Sequence, residues 1–326
     1  MQQSLINYNF SDKTILLERT KYFLSKKIDN IKIGEIDEIE EILKSHSNLY
    51  YNQENPLISD SEYDSLFKKL QNLEEKFKIN IEITKQVGAD IEQSSFEKVT
   101  HSRPMISLDN TYNAEDLKDF DDRVDKNIIS SLNKVEYTME FKFDGLGLEL
   151  IYENGKLVQA ITRGNGIEGE DVTVNAFQIQ NIPKKIPYKN RLEVRGEVIM
   201  PISVFNEINK NALKTGTKIF SNPRNAASGS LRQLDSSVTK TRKLKYFAYD
   251  LANFDAFARE ENKQNYYEVI KDLQNFGFDI SSYFNRFSNI SDLVKEIVKE
   301  NGELKTKQEF ISGLDFDIDG LVIKVN

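Results

Sequence analysis

No cysteine occurs in the 326 residues, and histidine appears only twice, as His46 and His101. Without thiols there is no disulfide framework and no thiolate zinc site, and two imidazoles leave little from which to build a histidine metal centre. The lack of cysteine fits a reducing compartment, and the cytoplasm is the expected location. No stretch approaches the ~18 consecutive apolar residues of a membrane span. The opening MQQSLINYNFSDKTILLERTKYF also lacks the apolar core of a secretory signal. Positive charge is in deficit: 44 Lys and Arg stand against 52 Asp and Glu, for a net charge of -8. Any contact with nucleic acid must therefore come from a local basic patch.

What is present reads as folded protein. Hydrophobic residues make up 39% and charged residues 29%, a globular composition. The length allows roughly two or three domains of ~100–200 residues. Residues 1–35 read as a helical or partly loose extension. From Glu35 to about Phe77 the pattern is helical. Ser59-Asp60-Ser61-Glu62 forms a capping box, and Tyr63, Leu66, Phe67, Leu70, Leu73 and Phe77 follow at helical spacing. A polar, aromatic stretch, 50–56, joins two helices. After Gln86-Val87-Gly88 short strands take over. Val135, Tyr137, Met139, Phe141 and Phe143 alternate with Glu136, Thr138, Glu140, Lys142 and Asp144, the period of a strand. Residues 148–152 and 157–162 flank an Asn154-Gly155 turn and read as a hairpin, and 192–200 alternates again. Helices are expected near 201–213 and 266–276, the latter stopped by Gly277.

Six groups can carry chemistry, and each has a plainer reading. Glu140 and Asp144 flank Lys142 on one strand face at ~7 Å spacing. A lysine there is a potential nucleophile once deprotonated. The carboxylates favour its charged form, so a divalent metal and a closed pocket would be needed. From the hexapeptide alone, a solvated face of alternating charge is the better reading. Thr162-Arg163-Gly164-Asn165-Gly166 lets backbone approach a phosphate or ribose beside Arg163, or is simply a tight turn. Glu193, Arg195 and Glu197 share a face. Glu197 can meet a ribose hydroxyl or a metal-bound water, or the three form a self-satisfied ladder. In 317–325, Leu321, Ile323 and Val325 point to a core and Lys324 to the other face, toward a phosphate or toward solvent at a sheet edge. Arg224 and Arg232 sit among small residues in 220–232, as close approach to a polyphosphate or nucleic-acid backbone requires. Alternatively they mark an exposed helix that starts after Asn222-Pro223. Nearby, Lys240, Arg242, Lys243 and Lys245 form a run that is solvated surface or a DNA contact. Last, Tyr50, Tyr51, Asp60, Tyr63 and Asp64 can sandwich a flat cationic ring and supply its countercharge, or divide into a core tyrosine and a helix cap.

Singly weak, these groups follow one another in a specific order. Lys142-Phe143-Asp144-Gly145, Thr162-Arg163-Gly164, Glu193-Val194-Arg195-Gly196-Glu197 and the 317–324 segment resemble the successive motifs of covalent nucleotidyltransferases. His101-Ser102-Arg103-Pro104-Met105-Ile106-Ser107-Leu108-Asp109-Asn110, the 222–235 run and the 58–64 segment narrow the resemblance to bacterial NAD-dependent DNA ligases, over about residue 40 to residue 326. The resemblance implies an α+β fold. A 1–35 extension would precede a 36–95 helical module that binds nicotinamide mononucleotide. A 96–326 antiparallel-sheet nucleotidyltransferase (adenylation) domain would follow, with NAD between the two.

The same resemblance implies roles. Lys142 would form the adenylate, with Glu140 and Arg163 on adenosine and ribose. Ser107, Leu108, Asp144 and Glu197 would complete the pocket, and Lys324 would act at the α-phosphate. Tyr50, Tyr51, Asp60, Ser61, Glu62, Tyr63 and Asp64 would hold the nicotinamide mononucleotide leaving group, and Arg224 and Arg232 would meet DNA or phosphate. NAD and magnesium are the implied cofactors, the magnesium held through phosphates and water without direct protein ligands, and zinc only in further domains. Nicked duplex DNA is the implied partner, with no membrane and a monomeric state expected. Three departures stand out. Asn165 replaces the usual Asp, Phe177 replaces a common Arg, and the sequence ends at Asn326 before a further lysine motif, a barrel and a cysteine zinc module, so a fragment is expected. Two rival functions stay open. One is an ATP-dependent nucleotidyltransferase, opposed by the tyrosine–aspartate cluster. The other is an idle DNA-binding relic, opposed by the intact Glu140, Lys142, Glu197 and Lys324 set.

Overall fold

The computed structural model describes residues 10, 12–51, 57–81, 83–85, 95–111, 113–127, 135–217, 219–299 and 304–326. The strands among them are, in chain order, β1 Lys98–Thr100, β2 Tyr137–Phe143, β3 Leu146–Glu153, β4 Lys156–Thr162, β5 Glu168–Glu170, β6 Leu192–Ile199, β7 Lys245–Leu251, β8 Asn285–Phe287 and β9 Ile318–Val325. Two compact units can be separated. One contains the described residues up to Lys85 with Pro104–Ile106 and Gly164–Gly169, and the other contains Ser95–Arg103, Ser107–Arg163 and Glu170–Asn326.

The first unit is built on helices α1 (Lys13–Ser25), α2 (Ile36–Tyr51) and α3 (Asp60–Phe77). Asp12 starts α1, its Oδ1 accepting from Thr14 N at 2.8 Å. Leu16, Thr20 and Phe23 fall on one face of α1 and are wholly buried, as are Ile39, Ile42 and Leu43 of α2 and Leu66, Leu70 and Leu73 of α3. Burying each such apolar side chain contributes roughly 1.5–3 kcal/mol. That draws α1, the helical part of the 1–35 stretch, into the core. Lys69 closes the other end of α1, its Nζ donating to the carbonyls of Phe23 and Lys26 at 2.9 Å each. The capping box forms at Ser59, with Ser59 N donating to Glu62 Oε2 at 2.9 Å and Glu62 N to Ser59 Oγ at 3.3 Å. Helix α2 runs on through Tyr50 and Tyr51, and the rest of the expected loop, 52–56, lies outside the described residues.

The second unit holds two antiparallel sheets, ordered β4-β3-β6-β7 and β8-β2-β9. The hairpin turns where the sequence placed it, with φ of 52° at Asn154 and 72° at Gly155. The four-stranded sheet carries the larger core. Leu148, Leu150, Val194, Tyr246 and Ala248 belong to one buried cluster with Ala226, Ala227 and Leu231 and with Val269, Ile270 and Leu273. On the smaller sheet, Tyr137 and Met139 pack with Leu117, Ile290 and Leu293, while Phe141 and Phe143 join Ile199 and Ile318.

The odd positions of β2 thus behave as the alternation indicates, but the even ones do not face water. Thr138 and Glu140 are each 2% exposed. The polar row lines an interior, and interior charge must be matched by partners or it is costly. The face is interior at Thr138 and Glu140 and opens to solvent only toward Lys142 and Asp144.

Candidate active site

Strand β2 delivers its polar row to the β2–β3 turn, and Gly145 makes that turn possible. A Cβ there would run into the carbonyl oxygen of Val198, so β3 can leave β2 tight against β6 only without a side chain. Lys142 lies opposite Gly320 of β9, and the register slips immediately after, between Lys142 and Phe143. Such bulges re-aim a side chain. The Lys142 amine meets the carboxylate of Asp319, with both side chains 38% exposed and so open to a ligand. Burial works against ionised Asp319, yet Lys142, Arg224 and Lys307 hold its carboxyl below the usual range.

Three more elements converge there. Asp144 accepts from Arg224 Nη1 at 3.2 Å. Arg224 stands in the first turn of α4 (Pro223–Leu231), the helix whose start the Asn222-Pro223 pair marked, capped by Asn222 Oδ1 on Asn225 N at 2.7 Å. Glu197, on β6, is pushed up to about 7 by burial, against the pull of Arg224, Arg163 and Lys142 and with Asp144 adding to the push. Arg163 follows the last residue of β4, its own N donating to Gly147 O at 2.9 Å and its Nη2 to Ser107 Oγ at 3.4 Å. Leu108 is exposed beside Ser107 in sequence. The result is an open cluster of three carboxylates and three cations around one amine.

Farther along β2 lies a second pair. Lys324 is in register with Thr138, and so four residues, or ~13 Å of strand, from Lys142. Its Nζ pairs with Glu140 Oε1 at 2.7 Å, donates to the Tyr249 carbonyl at 2.8 Å and to the Tyr266 hydroxyl, and sits 4.6 Å from the Tyr266 ring centre. Burial raises the Glu140 carboxyl while Lys324 opposes that rise. Glu140 Oε2 is buried and has no hydrogen-bond partner among the described residues. An orphaned buried acceptor is suited to a ligand edge that offers a donor, while the three hydrogens of Lys324 are already taken up by Glu140, Tyr249 and Tyr266.

The remaining candidates divide. Arg195 pairs with Glu149 at 2.7 Å and Glu193 with Arg191 at 2.6 Å, so both are satisfied by residues outside the Glu193–Arg195–Glu197 set and not by one another. Arg232 grips buried Glu170, Nε at 2.7 Å and Nη2 at 3.1 Å. Sequence reasoning singled out neither Asp319, although it stands in the Asp-Gly step of its motif, nor Tyr249 and Tyr266. For the tyrosines no local signal exists, because β9 alone brings Lys324 to them.

Comparison with known proteins decides the family. Residues 93–326 match the NAD-dependent DNA ligase adenylation domain, and residues 31–82 match the DNA ligase-like, N-terminal NAD+-binding domain. The chain belongs to the NAD-dependent DNA ligases. A DNA ligase of Thermosipho africanus is 42% identical over 295 residues, covering 90% of this chain and 42% of that one. Those of Fusobacterium nucleatum and Brachyspira hyodysenteriae are 38% and 42% identical, covering 94% and 89% of this chain and 42% of each relative. The chain therefore spans well under half the length of the curated relatives it matches.

Within the match to the NAD+-binding domain, Tyr50 and Tyr51 end α2 and Asp60 and Ser61 open α3, and the side chains of these four lie outside the described residues. Glu62 is occupied by its capping box, where the backbone N–H and hydroxyl of Ser59 hold its carboxyl low. Tyr63 shares a 2.7 Å hydrogen bond with Ser47 and stacks on Phe67, a core role, while Asp64 is exposed. Of the departures from the ligase pattern, Asn165 Oδ1 accepts from Ile167 N and Glu168 N at 3.0 Å each, a turn an Asp would make equally. Phe177 is 43% exposed, with Lys184 Nζ 5.6 Å from its ring centre. Among the described residues no group of three or more His, Cys, Asp or Glu is placed to hold a metal, and no helix is long and apolar enough to cross a membrane.

Proposed function

We propose that this chain carries out the first step of nick sealing by transferring adenylate from NAD to the amine of Lys142. One observation carries the reading: an amine on an otherwise interior strand face, in contact with Asp319 and flanked by Arg163, Arg224 and Glu197. In the step, Lys142 Nζ bonds to the phosphorus attached to adenosine and the pyrophosphate P–O bond breaks. Lys142 attacks as the neutral amine after its ammonium proton is lost to solvent, nicotinamide mononucleotide leaves with that electron pair, and the second proton, on the new P–N nitrogen, passes to Asp319. Such transfers are catalysed mainly by positioning and charge neutralisation, which the two arginines supply to phosphate oxygens.

Glu140 and Lys324 suit the base. Adenine offers an amino donor to the orphaned Glu140 oxygen, and its neighbouring ring nitrogen would take a Lys324 hydrogen in exchange for one of that ammonium's protein contacts. The register favours this place for Lys324 over the α-phosphate, because Lys142 lies four residues away. Ser107 and Leu108 would close over ribose and base. A divalent cation, which we take to be magnesium, would neutralise phosphate charge when bound. Asp319 and Glu197 with phosphate oxygens and water suit an ion that accepts one or two carboxylates in an octahedral shell. The helical unit, through Tyr50, Tyr51, Asp60, Ser61, Glu62, Tyr63 and Asp64, would hold the nicotinamide half. Nicked duplex DNA would be the later substrate, with Arg224 and the Lys240, Arg242, Lys243 and Lys245 run facing its phosphates, whereas the Arg232 guanidinium is engaged by Glu170.

The test offers adenylate-labelled NAD and ATP in parallel, with magnesium, to the chain and to a Lys142→Ala variant. Covalent label from NAD alone, absent in the variant, is expected. Equal transfer from ATP would favour an ATP-dependent nucleotidyltransferase, and nick binding without label from either donor would favour an idle relic.

A further inference from the structure

Beneath the candidate site lies a polar cluster that the proposed chemistry does not use. His101 and Glu149 have side chains with no exposure, and Arg195 has 7%. Charged and polar groups are placed there at a cost unless they are mutually satisfied. Glu149 and Arg195 are register partners on β3 and β6, joined at 2.7 Å. Burial opposes a charged Glu149, but His101 and Arg195 hold its carboxyl below the usual range. His101 bridges outward from this pair. Its Nδ1 faces Glu149 Oε1 at 3.5 Å, and its Nε2 lies 3.1 Å from the Thr162 carbonyl and 3.2 Å from that of Arg163. Carbonyl oxygens only accept, so Nε2 carries the hydrogen and donates to both.

The two flanking residues repeat the pattern. The Ser102 hydroxyl donates to Glu193 Oε2, and Arg195 Nη2 donates to the Arg103 carbonyl. Residues 101–103 are thereby fastened across the ends of β4 and β6 by side chains, at the point where the chain goes on toward Ser107. Arg163 is held at its own backbone carbonyl and carries the guanidinium that reaches Ser107. One buried imidazole joins the two segments that border the site, and Ser102 and Arg195 complete the hold on 101–103.

We infer that His101 is a positioning residue that fixes the Arg163 guanidinium, and the 101–107 segment with it, for the phosphate or ribose of the bound dinucleotide. The inference rests on the function proposed above only for the identity of the ligand. The clamp itself is a statement about backbone placement. Geometry makes the two ring nitrogens separable, because Gln can return a donor near the Nε2 position whereas Phe fills the space and returns none.

The test uses the whole chain with His101→Phe and His101→Gln and has two readouts. Amide hydrogen exchange across 162–169 and 101–108 should rise at least tenfold in His101→Phe and return most of the way in His101→Gln. In label transfer from NAD, His101→Phe should raise the half-saturating NAD concentration about tenfold while the saturated rate stays within about twofold. In an Arg163→Ala background, His101→Phe should change that concentration no further. Unchanged exchange in His101→Phe overturns the clamp. Increased exchange with an unaltered NAD dependence, or an equal effect with and without Arg163, overturns the link to Arg163. A parent chain that takes no label overturns the proposed activity, and the exchange readout still decides the clamp.

Discussion

At the scale of single residues, Lys142 and Glu197 are distinguished by what surrounds them and not by what they are. Arginine at position 142 would keep a cation beside Asp319 but cannot be deprotonated to attack phosphorus. Lys142→Arg should therefore lose all label transfer from NAD while the fold survives, as judged by an unchanged melting temperature. Asp319→Asn removes the proton acceptor and should slow labelling on the order of 10²-fold, measured as the rate at saturating NAD. Glu197 gives a pH signature. Its carboxyl rises from 4.5 to about 7 in the folded chain, so the folded state binds more protons than the unfolded state between those values. Stability from this group is present in full below pH 4.5 and is lost as pH climbs through 7, by roughly 3 kcal/mol. Urea midpoints taken from pH 5 to 8 should fall in the parent chain and fall less in Glu197→Gln.

At the scale of elements, the sequence was most legible where one period dominates. The alternation in β2, the Asn154-Gly155 hairpin and the Ser59 capping box all formed where the residues placed them, because each depends on neighbours within a few positions. Burial of the polar row of β2 was not legible, since it comes from β9, about 180 residues later in the chain. The same holds for the partnership of Lys324 with Tyr249 and Tyr266. Conversely, the motif order singled out Lys142, Arg163 and Glu197 together before any distance was known, while Glu193 and Arg195 looked alike in sequence and turned out to be paired with Arg191 and Glu149. The tight β2–β3 turn can be tested directly. Gly145→Ala should cost about 3 kcal/mol because the new methyl meets backbone that cannot yield. Gly34→Ala, with open space around it, should stay within about 0.5 kcal/mol of the parent. Chemical denaturation of both variants checks the contrast.

At the scale of the whole molecule, the two units should respond to pH in opposite senses. In the helical unit the Thr20 hydroxyl donates to the Leu16 carbonyl at 2.7 Å, so it accepts from His46 Nε2 at 2.8 Å, and burial favours the neutral ring. Burial lowers His46 to about 4. Stability from His46 is therefore present above pH 6.5 and lost as pH falls through 4, by roughly 3 kcal/mol, whereas the Glu197 contribution is lost on the way up. Far-UV dichroism melts at pH 4.5 and pH 7.5 should show the helical transition moving down on acidification, and His46→Gln should flatten that shift.

The central claim is that one amine, that of Lys142, takes adenylate from a dinucleotide while its nicotinamide-bearing half departs. The most direct measurement is peptide mapping by mass spectrometry of the chain after incubation with NAD and magnesium, with released nicotinamide mononucleotide counted in the same sample. We expect the adenylate on the peptide containing Lys142 and one leaving group released per labelled chain. Adenylate on another residue, or nicotinamide mononucleotide released with no adduct on Lys142, would contradict the account.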